Sequence, residues 1–376
     1  MMDVSERDHY ADRFRSFNLQ KLDWDAIVTM AKEAGCRYIV LTARHHDGFS
    51  LYDTRGVSSY DVMHTPYGRD IVADFVGACR RHGLVPFLYH TTLDWQNPML
   101  ENDWQGYQRY LRDSLEILCR NYGRIGGFWF DGNWSRRDVD WQEDELYSLI
   151  RRYQPDAILI NNSGLEQRGR RGNPYLDVLT FEQGQVEDTG IRDRGRHLAM
   201  EKCETMNHHW GAARLDLDYK SPRQLIEMLN TCRRNKANYL LNIGPKGDGS
   251  VPLMMRGLLE EIGIWTAMAG DNFYDGTLSS IACDGDAYVI DGDGISDVYV
   301  SHLPLIGANN VVEASDEDCR IISMDHVEKK IAGICWIDSG ERLTFEQEGD
   351  HAWFRATGYP YGRDLVVRIT RITWTD

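Results

Sequence analysis

The sequence predicts an α/β fold: a (β/α)8-like barrel, incomplete at its first strand, followed by an antiparallel β-sandwich. Three observations predict it. From residue 22 to about 269, amphipathic stretches of helical length alternate with short apolar runs, as repeated βα units do. The length of that region suits a closed parallel barrel better than an open sheet. After Tyr274 the helical period disappears, and short alternating runs separated by turn clusters such as DGDG take over, a sandwich pattern. The expected domains are residues 1–274 and 275–376.

The elements follow in order. Leu22, Ile27, Val28 and Ala31 mark one face of a helix that Gly35 is placed to end, since a glycine tolerates the left-handed conformation that closes helices. Tyr38-Ile39-Val40-Leu41 reads as a strand buried on both faces. Ile71 to His82 reads as a helix and Leu84 to Tyr89 as a strand; Trp104, Tyr107, Leu111, Leu115 and Leu118 space a long helix before a strand from Gly127 to Asp131. Fainter strands are expected at Ala157–Asn161, Val178–Phe181, His197–Met200 and Tyr239–Ile243, with helices at Pro222–Arg233 and Leu253–Met268. In the tail, Ala287–Ile290, Val298–Ser301 and Leu365–Ile369 are strand candidates, and Gly270–Thr277 is a short linker.

Composition excludes several function classes. The net charge is −16, of which the residues after Asp275 carry −10 and the rest −6, so neither part offers the cationic surface that nucleic acid needs. No run approaches the ~18 apolar residues of a membrane span, and the start MMDVSERDHYADRF lacks a secretory apolar core; as written, a cytoplasmic protein is expected. The 8 cysteines are scattered singly, which reads as reduced core thiols.

Barrel chemistry sits at the C-terminal ends of strands, and three such ends are rich. In LTARHHDGFSLYD, His45, His46 and Asp47 follow a strand directly. Adjacent histidines on an extended chain face opposite ways, so both reach one pocket only if the backbone turns. HHD has no recognised metal-ligand spacing, and neutral hydrogen-bond donors to a polar substrate are the favoured reading, with a core histidine as the plain one. In Gly126-Gly127-Phe128-Trp129-Phe130-Asp131-Gly132-Asn133-Trp134, a carboxylate ends an aromatic strand among glycines that would let a ligand approach. Aromatic faces hold sugar rings by apolar contact, so Asp131 is a candidate nucleophile; otherwise it caps the next helix. The segment Glu201 to Lys220 packs Glu201, Glu204, Asp216, Asp218, two histidines and Trp210 together. It could supply the second carboxyl that glycoside hydrolysis needs, or be a solvated acidic loop.

Taken together, these segments resemble the α-L-fucosidases of glycoside hydrolase family 29 from about Phe17 to Tyr274. His45 to Asp53 follow the family's VLTAKHHDGFxLWD; GLVPFLYHTTLDW is similar to GLKFGLYYSLLDW, FWFDGNW to LWFDGEW, and NYLLNIGPKGDG to NLLLNIGPxxDG. The resemblance implies a retaining exo-hydrolase of terminal α-L-fucosyl residues on a barrel with a β-sandwich, needing no metal or organic cofactor. It implies Asp131 as nucleophile, Trp129 as an aromatic wall, and His45 and His46 as donors to the sugar hydroxyls, with Tyr89, His90 and Trp210 as further substrate contacts. Aligning Trp210-Gly211 with the family's WGY places Asp216 at the acid/base position, with Glu201 and Glu182 as reserves.

Two departures stand out. His90 and Ala212 replace family tyrosines, and the family's first strand, FGIFIHWG, has no counterpart. A parallel barrel short of a strand leaves two unpaired edges, so a homo-oligomer that covers the gap is expected, and the polar stretch Asp3–Phe17 is not expected to fill it. The alternatives are a non-catalytic carbohydrate-binding protein on a relic barrel, or an exo-glycosidase for a fucose-like sugar such as L-galactose. Trp336, Trp353 and Trp374 in the tail are either a sugar platform or core, with core favoured.

Overall fold

The computed structural model describes residues 10–187, 190–193, 196–307, 319–363 and 365–375. The chain forms two compact units, Met1–Tyr219 with Ala237–Glu260, and Lys220–Lys236 with Glu261–Asp376.

The first unit is built on a sheet of seven strands in chain order: β1 (Tyr38–Arg44), β2 (Val85–Thr91), β3 (Gly127–Asp131), β4 (Ile158–Asn161), β5 (Val178–Thr180), β6 (Ala199–Thr205) and β7 (Ala237–Asn242). Each neighbouring pair is parallel, as βα repeats dictate. Helix α1 (Trp24–Glu33) precedes β1, and α2 (Ile71–His82), α3 (Trp104–Asn121) and α4 (Glu143–Tyr153) follow β1, β2 and β3. Asp23, Asp70 and Asp103 cap the first three by accepting from the backbone N–H of Ala26, Ala73 and Gly106, groups that helix geometry leaves unpaired. Gly35 follows α1 at φ 86°.

Strand alternation divides the apolar residues between two layers. Leu88, Phe128 and Phe130 pack outward with the helices, whereas Phe87, Tyr89, Trp129, Ile160, Val178 and Cys203 form a cluster on the opposite face. The sheet is strongly curled: Tyr38 on β1 and Asn238 on β7 both donate to Glu201 Oε2, at 2.5 and 2.7 Å. Side chains of the first and last strands therefore meet on the inner face. Among the described residues no ladder closes β7 onto β1, so the described sheet stays open between those two strands. Burial records the gap, since Tyr38 to Leu41 are half-buried while Pro86 to Thr91 are buried.

Residues 3–9 lie outside the described residues. Beyond them, Asp12–Ser16 form a 3-10 turn whose Phe14 meets Phe49 and Tyr60, while Phe17 meets Phe49 and Tyr67. The stretch is used as an aromatic clasp on the loop after β1. The two glycines of the aromatic strand serve packing rather than ligand approach, for a Cβ on Gly127 would sit 2.2 Å from Phe87 Cε1 and 2.7 Å from the Ile158 carbonyl oxygen. Cys36 is exposed as a residue, unlike the buried Cys79, Cys119, Cys203 and Cys232, although burial of its thiol pushes the pKa up to about 11.

The second unit contains a five-stranded and a four-stranded antiparallel sheet. Trp336 is fully buried in its core, and Trp374 packs against that core. The buried Arg368 guanidinium lies 3.9 Å from the Trp336 ring centroid and pairs with Asp338. The helical run Leu253–Asp275 breaks at Gly270, where φ is 67°.

Candidate active site

Asp131 is the last residue of β3, and its two oxygens collect donors from three other segments. Oδ2 accepts from Tyr89 Oη on β2 at 2.8 Å and faces His46 Nε2 at 3.4 Å. Oδ1 accepts from Trp134 Nε1 at 2.6 Å and Asn162 Nδ2 at 3.2 Å. It does not act as a helix cap: Gly132 precedes the short turn Asn133–Ser135, and α4 starts only at Glu143. Burial works to raise its pKa, but the His46, Trp134 and Tyr89 donors outweigh burial and hold the carboxyl below the usual aspartate range.

Both histidines face this carboxylate because the strand before them is irregular. The β1–β2 register shifts between Thr42 and Arg44, and the chain turns at once, with Gly48 N–H donating to the His45 carbonyl. A register shift of this kind re-aims side chains. Gly48 has φ 79°, and a Cβ there would lie 2.2 Å from Asp94 Oδ1, so only glycine fits the turn. The two imidazole centroids end 4.2 Å apart. His45 stacks on Tyr89 at 5.6 Å and Tyr89 on Trp129 at 5.5 Å, which makes a wall of near-parallel rings. Burial, then the neighbouring His46, push the His45 pKa down to about 4, so at neutral pH it is an uncharged imidazole. His46 Nδ1 lies 2.7 Å from the Thr91 hydroxyl, which fixes the ring with Nε2 toward Asp131.

Among the described residues, His45, His46 and Asp131 form a group whose ligand-capable atoms lie within 4.8 Å of one another. The Asp131 oxygens are already supplied with hydrogen-bond donors from Tyr89, Trp134 and Asn162, an arrangement suited to a carboxylate that meets an organic substrate.

The remaining expected site residues separate. Glu182, one of the reserves, is half-buried and accepts from Asn162 Nδ2 at 2.7 Å, the same amide nitrogen that reaches Asp131. Burial is the main cause that raises its pKa, and the Asp131 charge adds to it. Glu201 is buried with both oxygens occupied: Oε1 by Trp129 Nε1 at 2.8 Å, Oε2 by Tyr38 and Asn238. It orients the aromatic wall and ties the curled sheet together. Asp216 is bound within its own loop: Oδ2 accepts from the His208 backbone at 2.9 Å and His209 Nδ1 at 2.7 Å, and Oδ1 from the Asp218 backbone at 3.2 Å. The His209 bond is the largest cause that lowers its pKa, the wrong direction for a general acid. His90 is a correction. It alternates with Tyr89 to the outer side of β2, fully buried, with Nδ1 on the Thr91 carbonyl at 2.7 Å and Nε2 3.3 Å from Tyr52 Oη. The period of two along a strand forbids both residues from lining one pocket. Trp210 is 41% exposed on the loop after β6, its carbonyl accepting from Asn242 Nδ2 at 2.6 Å.

Trp134 and Asn162 were missing from the sequence-derived site. Trp134 ends the FWFDGNW motif, and Asn162 follows the apolar run Ala157–Ile160 at a strand terminus, so inspection of every strand end would have found both.

Residues 4–271 match the family model described as Alpha-L-fucosidase. The chain belongs to the alpha-L-fucosidase family. It is 25% identical over 278 residues to the alpha-L-fucosidase of Dictyostelium discoideum, a match covering 70% of this chain and 58% of that protein. With the human tissue alpha-L-fucosidase it shares 24% over 277 residues, again 70% of this chain and 58% of the relative. This family member thus spans less than two thirds of those curated relatives. Alpha-L-fucosidase isoenzyme 1 from Paenibacillus thiaminolyticus superposes with a TM-score of 0.80 at 26% identity, over 99% of this chain and 92% of that one. An alpha-L-fucosidase from Bacteroides thetaiotaomicron has the same fold, with a TM-score of 0.79 at 20% identity over 98% and 84%. Among the described residues, no helix is long and apolar enough to cross a membrane.

Proposed function

We propose that this chain is a retaining α-L-fucosidase that removes terminal α-L-fucosyl residues from glycans, with Asp131 as nucleophile and Glu182 as acid/base. The observation that carries the reading is a pair of carboxyls spanned by one amide and driven apart in pKa, Asp131 down and Glu182 up. One stays ionised to attack while the other keeps a proton to give. In the first step Asp131 forms a bond to the anomeric carbon as the glycosidic C–O bond breaks, and Glu182 passes its proton to the leaving oxygen. In the second, Glu182 takes a proton from water, the water oxygen bonds to the anomeric carbon, and Asp131 leaves as carboxylate. Tyr89, Trp129, His45 and His46 shape the sugar subsite, and the catalytic region is residues 1–274.

Glu182 takes the place first expected for Asp216, whose carboxyl is spent on its own loop. A binding protein would have no use for an ionised carboxylate ringed by four donors, which favours catalysis over a relic barrel. The test is hydrolysis of an aryl α-L-fucoside. Wild type should turn it over, and Asp131→Asn should fold but lose roughly 10^3-fold or more. Faster turnover of the aryl α-L-galactoside would instead assign the fucose-like alternative. The half-buried β1 edge and the exposed Asn238 on β7 favour a homo-oligomer in which a second copy covers the gap.

A further inference from the structure

We infer that Asn162 is a positioning residue that holds both carboxyls at once and follows the negative charge as it passes from one to the other. The inference rests on the proposed roles of Asp131 and Glu182. Asn162 is 4% exposed, directly after β4, and its backbone N–H donates to the Phe130 carbonyl at 2.8 Å, so it is fastened to the residue before Asp131. Its side-chain oxygen accepts from Gly164 N at 3.1 Å and Thr180 Oγ1 at 3.4 Å. Thr180 Oγ1 accepts from Ser163 N at 3.1 Å, which leaves its hydroxyl proton to give. With the amide oxygen occupied by donors, the NH2 must face the other way. It reaches Asp131 Oδ1 at 3.2 Å and Glu182 Oε2 at 2.7 Å. The orientation of this amide is thus set by its partners on both sides.

The consequence is electrostatic. Before reaction the charge is on Asp131 and the proton on Glu182. In the first step Asp131 becomes an ester and Glu182 a carboxylate, so the pair keeps one negative charge but moves it. A hydrogen bond to an ionised acceptor is roughly twice as strong as to a neutral one. As the N–H bond to Asp131 weakens, the one to Glu182 therefore strengthens, so the amide supports the charge throughout its passage and its loss falls on kcat rather than on KM. The other titratable and charged groups around the pair are His45, His46, Tyr89, Arg168, Cys203 and Glu201. Among the described residues, the neutral Asn162 amide is the side chain seen to hydrogen-bond both carboxyls.

Asn162→Asp keeps an oxygen for Gly164 N and Thr180, and replaces only the bridging NH2, so a merely structural role survives it. The expected result is a kcat roughly 10^2-fold lower, with KM within about threefold. The alkaline limb of kcat/KM should move up by about one unit or more, because a third carboxyl disfavours ionisation of Glu182. Asn162→Ala, which adds no charge, should lower kcat in the same sense and also move the alkaline limb up, by less. Circular dichroism and the thermal midpoint show which variant is folded, and the profile is read on that one. Unchanged kcat with both limbs in place, or a loss confined to KM, overturns the bridge. Asp131→Asn and Glu182→Ala, measured in parallel, separate the causes. If Asp131→Asn still turns over, the reading of the site falls. If those two behave as proposed while the Asn162 variants keep the wild-type profile, the bridge alone falls.

Discussion

At the residue scale the chemistry turns on which carboxyl is free to donate a proton, and here partners decide more than sequence position. Asp216 and Glu201 are acidic residues of one segment, yet the first is spent on loop amides and His209 and the second on Trp129, Tyr38 and Asn238. Glu182 shares an amide with Asp131. Glu182→Ala should therefore slow natural linkages most, spare an activated aryl fucoside in its first step, and recover rate with added azide as the β-fucosyl azide. Asp216→Ala showing that pattern in its place would reverse the assignment. The pH profile has a sign to check as well. On the proposed roles, activity needs Asp131 ionised, so it is lost as pH falls through a pKa held below the ordinary aspartate value; it needs Glu182 protonated, so it is lost as pH rises through a pKa held above the ordinary glutamate value. A bell in kcat/KM wider than 3.9 to 4.3, the unperturbed range, is expected, and its alkaline limb should vanish in Glu182→Ala.

At the element scale the site depends on how closely β2 and β3 pack. Phe87 fills the space in front of Gly126 and Gly127, and the paired register Tyr89↔Trp129 and Thr91↔Asp131 then brings wall and carboxylate together. Gly127→Ala must push either an aromatic ring or the neighbouring β4 backbone, so we expect a loss of about 1–3 kcal/mol or more, read by urea denaturation, together with lower activity. A neutral outcome would mean that the two strands separate without cost. The bulge in β1 works in a similar way: by shifting register before Arg44 it turns both histidines toward one carboxylate.

For the whole molecule, the seven-stranded sheet leaves β1 and β7 unjoined by a ladder among the described residues, with Tyr38, Asn238 and Glu201 spanning the inner face. Side-chain bridges satisfy a few polar groups, but among the described residues no strand pairs the facing backbone edges of β1 and β7, which is the surface a second copy would cover. Multi-angle light scattering at assay concentration should give a dimer or larger, with activity falling as dilution dissociates it. A fully active monomer would sink the complementation idea. The acidic net charge of −16 makes such association easier at higher salt, where repulsion is screened.

The sequence by itself determined the βα alternation, the sandwich, and the motifs that carry Asp131, His45 and His46, because periodicity and strand-end chemistry are local properties. The edges of α2 and β3 were legible to the residue; α4 was not, since only Leu146, Tyr147 and Ile150 mark its buried face. What only the tertiary structure decided were matters of partnership. One is that strand alternation sends His90 outward while Tyr89 reaches Asp131. Another is that Asn162, unremarkable in sequence, lies between two carboxyls from different strand ends. The last is that Glu182, with a raised pKa, shares an amide with Asp131 while Glu201, also raised by burial, is tied to Trp129, Tyr38 and Asn238, because desolvation and hydrogen bonding depend on groups distant along the chain.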